Sequence, residues 1–510
     1  MLELLSTVAG FRQLVHSIGV SVEMPDPKEH VSFVFQMYGK HDLYGGGTNL
    51  TAELCADGAE TRIYLSEADW QSDDDVPGQI KIYLDTPEQL GKTSIRLYLN
   101  DGYEAPEMIE DLEVDTGSQA YHRMVADSLI QTGNTYRIYE AIRRAKAGED
   151  VTLAYIGGSI TQGAGATPIN TECYAYKSYL RFQELVGRQE NVHFVKAGVG
   201  GTPSELGMVR FDRDVLRDGI EPDIVVVEFA VNDEGDETRG NCYESLVRKI
   251  LKLPWHPAVI LLFSVFADDS NLQERLIPVG ERYDLPMVSV KNAVVPQFYD
   301  ASNRILTKNQ FFYDRFHPSN LGHTIMADCL ANLYAQIRQR VEDEGVRDAD
   351  YEPSVFAGVP AIGCSFDAIR LLDKKNDYAN AEIDCGGFTL TDTELQSVEM
   401  DLELELTPEF PYNWMYDGAV CKQHYFELKI TCRSLVMVCK DSGEVDVAKA
   451  DIYADGQFVR TFDPHEIGWL HTNPLLIFDE TETKAHTVRV EITPDDRDKK
   501  CTILGFGYVE

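Results

Sequence analysis

Between Val151 and Val341, short apolar runs alternate with longer stretches of helical periodicity, and this alternation limits the possible folds more than any other feature of the chain. The apolar runs are 151–156, 192–197, 224–229, 258–265 and 286–290, and helical patterns lie near 173–186, near 242–251 and from 321 to about 341. A strand apolar at nearly every position is buried on both faces, and strand–helix–strand crossovers within one sheet are right-handed. The segment is therefore expected to be an α/β domain, a parallel sheet with helices on both sides.

The flanks read differently. Short alternating or aromatic runs at 61–65, 79–84 and 94–99, separated by turns containing Asp, Gly and Pro, predict a small β domain. A helix over 135–146, with Ile138, Ile142 and Ala145 on one face and Gly148 at its end, opens the central segment. After an acidic, irregular stretch at 342–353, β-rich runs resume at 426–432, 450–458, 487–492 and 501–509, with Asp455-Gly456 as a hairpin turn. A chain of 510 residues exceeds the ~250–300 that a single core sustains. Three domains are expected: a β-rich one over 1–133, the α/β domain over 134–345 and a β-sandwich over 346–510.

The net charge of −38, from 84 acidic and 46 basic side chains, repels phosphate backbones and anionic headgroups. Nucleic acid and membrane are thus not expected partners. No apolar run approaches the ~20 residues that span a bilayer. The first residues, Met1 to Leu5, lack a basic region and a cleavage site, so a cytoplasmic location is expected. Ten cysteines, scattered singly from Cys55 to Cys501, lack the paired spacing of a zinc or redox site and read as reduced, largely buried residues. Neither a metal nor an organic cofactor is expected.

Four separated motifs follow the predicted strands of the central segment, where open α/β sheets place their sites. Tyr155-Ile156-Gly157-Gly158-Ser159-Ile160-Thr161 runs a buried strand into two glycines and a serine, which is either a helix cap or a nucleophile with its backbone N–H turned toward an anion. Gly198-Val199-Gly200-Gly201-Thr202-Pro203-Ser204 is a flexible turn or a loop offering an unobstructed N–H. Val227-Glu228-Phe229-Ala230-Val231-Asn232-Asp233 brings an asparagine to a strand mouth, as a turn residue or as an amide donor to an oxyanion. Asp314-Arg315-Phe316-His317-Pro318 spaces a carboxylate and an imidazole so that they can meet locally, fixing the ring's tautomer. Each motif alone has an ordinary structural reading.

Together and in this order, the four resemble the conserved blocks of the SGNH (GDSL-like) hydrolase superfamily, over roughly residues 150 to 340. The form Gly157-Gly158-Ser159-Ile160-Thr161 is similar to a branch whose members often deacetylate carbohydrates. The resemblance implies a three-layer α/β/α, flavodoxin-like domain with a parallel sheet, flanked by N- and C-terminal β-sandwich (jelly-roll-like) domains. By position, Ser159 matches the nucleophile, Asp314 and His317 the rest of the triad, and Ser159, Gly201 and Asn232 the oxyanion hole. Gly158 stands where the eponymous Asp precedes the serine, and Ala230 where the third block usually has Gly. Neither position supplies a reacting group.

What the resemblance implies is a serine esterase that removes small acyl groups, O-acetyl above all, from a small-molecule or oligosaccharide substrate through an acyl-enzyme. An esterase or thioesterase for lipid or acyl-CoA substrates is the nearest alternative, and a non-catalytic carbohydrate-binding protein the second. Oligomeric state, a homo-oligomer included, is left open by the sequence. Of the remaining residues, His323 reads as packing or solvent-facing and Trp255 as a core edge. Trp414 and Trp469 read as packing, with sugar stacking as the lesser alternative.

Overall fold

A computed structural model describes residues 2–42, 45–86, 89–105, 111–187, 190–217, 219–300, 302, 304–344 and 348–510. The chain divides into two compact units, Met1–Glu110 and Asp111–Glu510. The boundary expected at 345/346 lies outside the described residues.

In the first unit six strands, β1 (Val15–Glu23), β2 (His30–Gly39), β3 (Asn49–Cys55), β4 (Thr61–Tyr64), β5 (Asp74–Tyr83) and β6 (Lys92–Leu99), form two three-stranded antiparallel sheets, β4-β1-β6 and β3-β2-β5. Ile18, Val20 and Val22 of β1 and Val31 and Phe33 of β2 share one apolar core, the every-second-residue pattern of half-buried strands. Thr7 caps the helix Val8–Leu14, accepting the Gly10 N–H at 3.1 Å, and Phe11 of that helix stacks on Phe35.

The second unit is built on a six-stranded sheet of β7 (Leu129–Gln131), β8 (Val151–Gly157), β9 (Val192–Gly198), β10 (Ile224–Glu228), β11 (Ala258–Phe263) and β12 (Met287–Ser289), in the order β7-β12-β11-β10-β8-β9. All neighbours are parallel except β7, which runs antiparallel along the β12 edge. Numbered from β8, the five parallel strands follow the order 2-1-3-4-5 of flavodoxin-like sheets, in which ligands bind outside the carboxyl ends where the winding reverses. Here the reversal falls between β8 and β10. Their residues alternate between two cores: Leu153, Tyr155, Ile224 and Val226 enter one, Ala154, Ile156, Val225 and Val227 the other. That double burial is why the strands read as unbroken apolar runs.

Helices Tyr136–Ala147, Tyr174–Val186 and Asn320–Glu344 cover the first face, and Ser204–Phe211, Asn241–Leu251 and Gln273–Arg282 the second. The C-terminal part is β-rich, an eight-stranded antiparallel sheet centred on the strands Tyr425–Asp441, His471–Ile492 and Lys500–Val509. On Tyr425–Asp441, Leu435, Met437 and Cys439 face the core of this sheet, while the intervening Val436 and Val438 join the second core of the α/β layer. Both faces of this stretch of the strand are thus dry, and the β-rich part and the α/β layer share apolar packing.

Candidate active site

The first motif occupies the end of β8. Gly158 precedes a single helical turn, Ser159–Gln162, and as its first residue Ser159 has no intrahelical acceptor for its N–H. On the Ser159 side chain, Oγ lies 3.0 Å from His317 Nε2. The other ring nitrogen of His317, Nδ1, lies 2.8 and 3.0 Å from the two carboxylate oxygens of Asp314. One of those oxygens also accepts the N–H groups of Phe316 at 2.7 Å and His317 at 2.8 Å, so the loop holds the carboxylate before the ring arrives. Burial alone would raise the Asp314 pKa, but these hydrogen bonds and the nearby imidazole outweigh it and hold the group below the usual carboxylate range.

The second and third motifs close around the same turn. A Cβ added to Gly200 would come within 3.8 Å of Ser159 Cβ, and one added to Gly158 would lie 2.3 Å from Asn232 Oδ1 and 2.7 Å from its Nδ2. The Asn232 amide therefore fills the space that a side chain at 158 would need. Asn232 Oδ1 is buried without a partner, and among the described residues neither its amide nitrogen nor the N–H of Ser159 or Gly201 has a hydrogen-bond acceptor. Unspent donors at these three positions are groups of the kind that stabilise a developing negative charge. All five residues expected at the site are thus gathered at the carboxyl ends of β8, β9 and β10 and the start of the closing helix.

Several residues that shape this arrangement carry no motif. Arg210, fully buried, donates to the carbonyls of Gly157 (2.8 Å) and Ala197 (2.9 Å), tying the ends of β8 and β9 together, and is neutralised by Asp214 at 3.0 Å. Buried Lys196 donates to Gln162 O at 2.8 Å, and Gln162 Oε1 accepts the Gly200 N–H at 3.0 Å. His323 is wholly buried: Nδ1 accepts the Tyr174 N–H and Nε2 donates to Ala164 O, both at 3.1 Å, and burial pushes its pKa down to about 3. It is a neutral brace beside the turn that carries Ser159. Trp255 donates to Pro222 O at the edge of the core. Trp414, packed between Phe426 and Phe506, is 3% exposed and has no free face, whereas Trp469, 37% exposed, lies against Gly201. A signal for Arg210 or Lys196 was present, a charge inside an otherwise apolar segment, but not for what each would meet.

Behind the site, Glu205, Asp233 and Asp236 are all buried, and the ligating atoms of Glu205, Asp236 and Cys242 lie within 4.8 Å of one another. Burial, with the charges of Asp236 and Glu237, pushes the Glu205 carboxyl up to about 9, and burial with Asp236 pushes Asp233 up to about 8. A carboxyl whose folded pKa is raised contributes stability that is complete below its unfolded pKa and lost as pH rises through the folded one. For Glu205 that window runs from 4.5 to about 9. Glu205→Gln is expected to flatten the decline of stability across it, gaining on wild type by at most about 1.4 kcal/mol per pH unit. Denaturant unfolding of both proteins at pH 5.5, 7 and 8.5 checks this, and parallel curves would contradict it.

Comparison with known proteins agrees with the fold and the motif order. Residues 155–325 match the family model of the GDSL-like Lipase/Acylhydrolase family. Among solved structures, a two-domain esterase active on acetylated mannans superposes with a TM-score of 0.63 at 24% identity, covering 76% of this chain and 99% of that one. The same esterase co-crystallised with mannopentaose gives 0.61 at 24% identity over 76% of this chain and 98% of that one. A catalytic mutant of an acetylxylan esterase from Geobacillus stearothermophilus covers 36% of this chain and 92% of its own at 20% identity and a TM-score of 0.27. No curated protein matches the sequence. With β8–β12 in flavodoxin-like order, four motifs gathered at the carboxyl side of the sheet and a family match across them, residues 155–325 are a GDSL-like lipase/acylhydrolase domain.

Proposed function

We propose that this protein is an esterase that removes small acyl groups, chiefly O-acetyl, from carbohydrates, with Ser159 as nucleophile, His317 as general base and acid and Asp314 as its orienting partner. The observation that carries the reading is the continuous hydrogen-bond chain from Asp314 through both nitrogens of His317 to Ser159 Oγ.

In the first half-reaction His317 Nε2 takes the Ser159 proton as Oγ bonds to the ester carbonyl carbon, and the carbonyl electron pair moves onto oxygen. The N–H groups of Ser159 and Gly201 and the Asn232 amide receive that oxyanion, and each such donor is worth about 3–4 kcal/mol of barrier. Collapse expels the sugar alkoxide, which takes the proton from His317 Nε2 and leaves acyl-Ser159. Water then repeats the steps, losing its proton to His317, and Ser159 leaves with that proton as the acid is released. Throughout, Asp314 stays ionised and keeps Nδ1–H pointed at itself, so that Nε2 faces the serine.

The carbohydrate part is supported by the structural likeness to an esterase active on acetylated mannans, which extends over 76% of this chain and so beyond the hydrolase domain. Hydrolysis of nitrophenyl esters from acetate to octanoate, beside acetate release from acetylated manno- and xylo-oligosaccharides, tests it. Activity is expected on acetate and on the acetylated sugars, falling at least tenfold by butyrate. Equal or faster turnover of octanoate would replace this reading with the lipid or acyl-CoA alternative.

A further inference from the structure

In the loop that carries Gly201, the carbonyls of Gly200 and Gly201 are both held from outside the hydrolase domain. Gly200 O accepts the Nε2–H of Gln396 at 2.8 Å, and Gln396 is itself locked, its Oε1 accepting the Thr472 N–H at 2.9 Å. One residue along, Gly201 O lies 3.1 Å from His471 Nε2, whose other ring nitrogen lies 3.1 Å from buried Asp441. The Trp469 ring closes the same corner, 2.7 Å from where a Gly201 Cβ would stand, and Gly201 adopts a φ of +72° that side chains rarely take. Gln396, Asp441, Trp469, His471 and Thr472 all belong to the C-terminal β-rich part.

A trans peptide is planar, with its C=O and N–H pointing in opposite directions. In the unit joining Gly200 to Gly201, the group that fixes the carbonyl of Gly200 therefore also fixes the aim of the Gly201 N–H. That N–H has no acceptor among the described residues. Two glycines in succession resist rotation of this peptide only weakly, so its orientation depends on what grips the carbonyl.

We propose that Gln396 is a positioning residue for the oxyanion hole: by holding Gly200 O, the C-terminal part aims the Gly201 N–H at the reacting carbonyl. The proposal rests on the reading of Ser159 as nucleophile and Gly201 as oxyanion donor. Gln396→Glu keeps the shape but turns an acceptor toward Gly200 O, and Gln396→Met keeps the length without a donor.

The test compares 4-nitrophenyl acetate with its thiono analogue, in which sulfur replaces the carbonyl oxygen, using full-length wild type, Ser159→Ala and the two Gln396 variants. A thiolate accepts hydrogen bonds poorly, so a well-aimed hole favours the oxygen ester. Both Gln396 variants are expected to lose about 10- to 100-fold in kcat on the oxygen ester with KM changed less than twofold, and their oxygen-to-sulfur rate ratio should fall at least fivefold. A variant that merely contains less folded protein loses both rates equally and keeps the ratio, so an unchanged ratio overturns the proposal whatever kcat does. If only one variant folds, its ratio decides. Wild-type turnover that survives Ser159→Ala would instead overturn the underlying reading, and this proposal with it.

Discussion

Replacing Ser159 with alanine should lower ester hydrolysis by a factor of 10⁴ or more while leaving stability within about 0.5 kcal/mol of wild type, because in the proposed mechanism the hydroxyl is the attacking group, yet it bonds only His317 among the described residues. Alanine suits the first position of a helical turn, and because the His317 side chain is 22% exposed, water can take the place of Oγ beside Nε2. Activity and stability should therefore separate cleanly. Steady-state hydrolysis of 4-nitrophenyl acetate and thermal unfolding measure these two consequences, and mass-spectrometric detection of a fluorophosphonate adduct on Ser159 of the wild type tests the nucleophile directly. A variant that retained a tenth of wild-type turnover would sink the nucleophile assignment.

The second large effect is expected from Asp314→Asn. The carboxylate collects three donors, two backbone N–H groups and the ring Nδ1–H, and an amide can offer only one oxygen to them. Its NH₂ end would favour the tautomer with hydrogen on Nε2, which points a donor at Ser159 and removes the base. Buried carboxylates in this role are worth about 10⁴ in rate. The Asp314 side chain is 41% exposed, so water can partly replace it, and a loss of about 10³ in kcat is expected, with KM little changed. Because hydrogen bonding keeps the wild-type carboxyl below its ordinary pKa, the deficit should persist from pH 5 to 9. A deficit under tenfold at pH 7 would reduce Asp314 to a loop-stabilising residue.

The parts of the site that could be read from the sequence share a property. Asp314 and His317 meet across three residues, and Ser159, Gly201 and Asn232 each sit in the loop or turn that follows a strand that is itself an apolar run. Local spacing and strand ends survive in a one-dimensional string. The parts that could not be read depend on distant partners: Arg210 on Gly157 and Ala197, His323 on Ala164 and Tyr174, and Gln396 on Gly200. Trp414 and Trp469 are the same residue type in the same region, yet one is a core residue and the other stands against Gly201.

The C-terminal part shows the same division. Runs such as 435–439 and 503–509 carry no charged side chain and are largely apolar, which identifies strands buried on both faces without saying what covers the second face. The structure supplies it: Val436, Val438, Leu504 and Val509 pack into the core behind β8, β9 and β10, and Gly507 lies flush against Val209 and Ile369. By itself the sequence determined the doubly wound sheet and the four motifs, since periodicity and strand-end chemistry are local. Only the tertiary structure decided that a separate β-rich stretch would grip the Gly200–Gly201 peptide, because that contact depends on how two sheets stack and no residue pattern encodes the pairing of surfaces some two hundred positions apart.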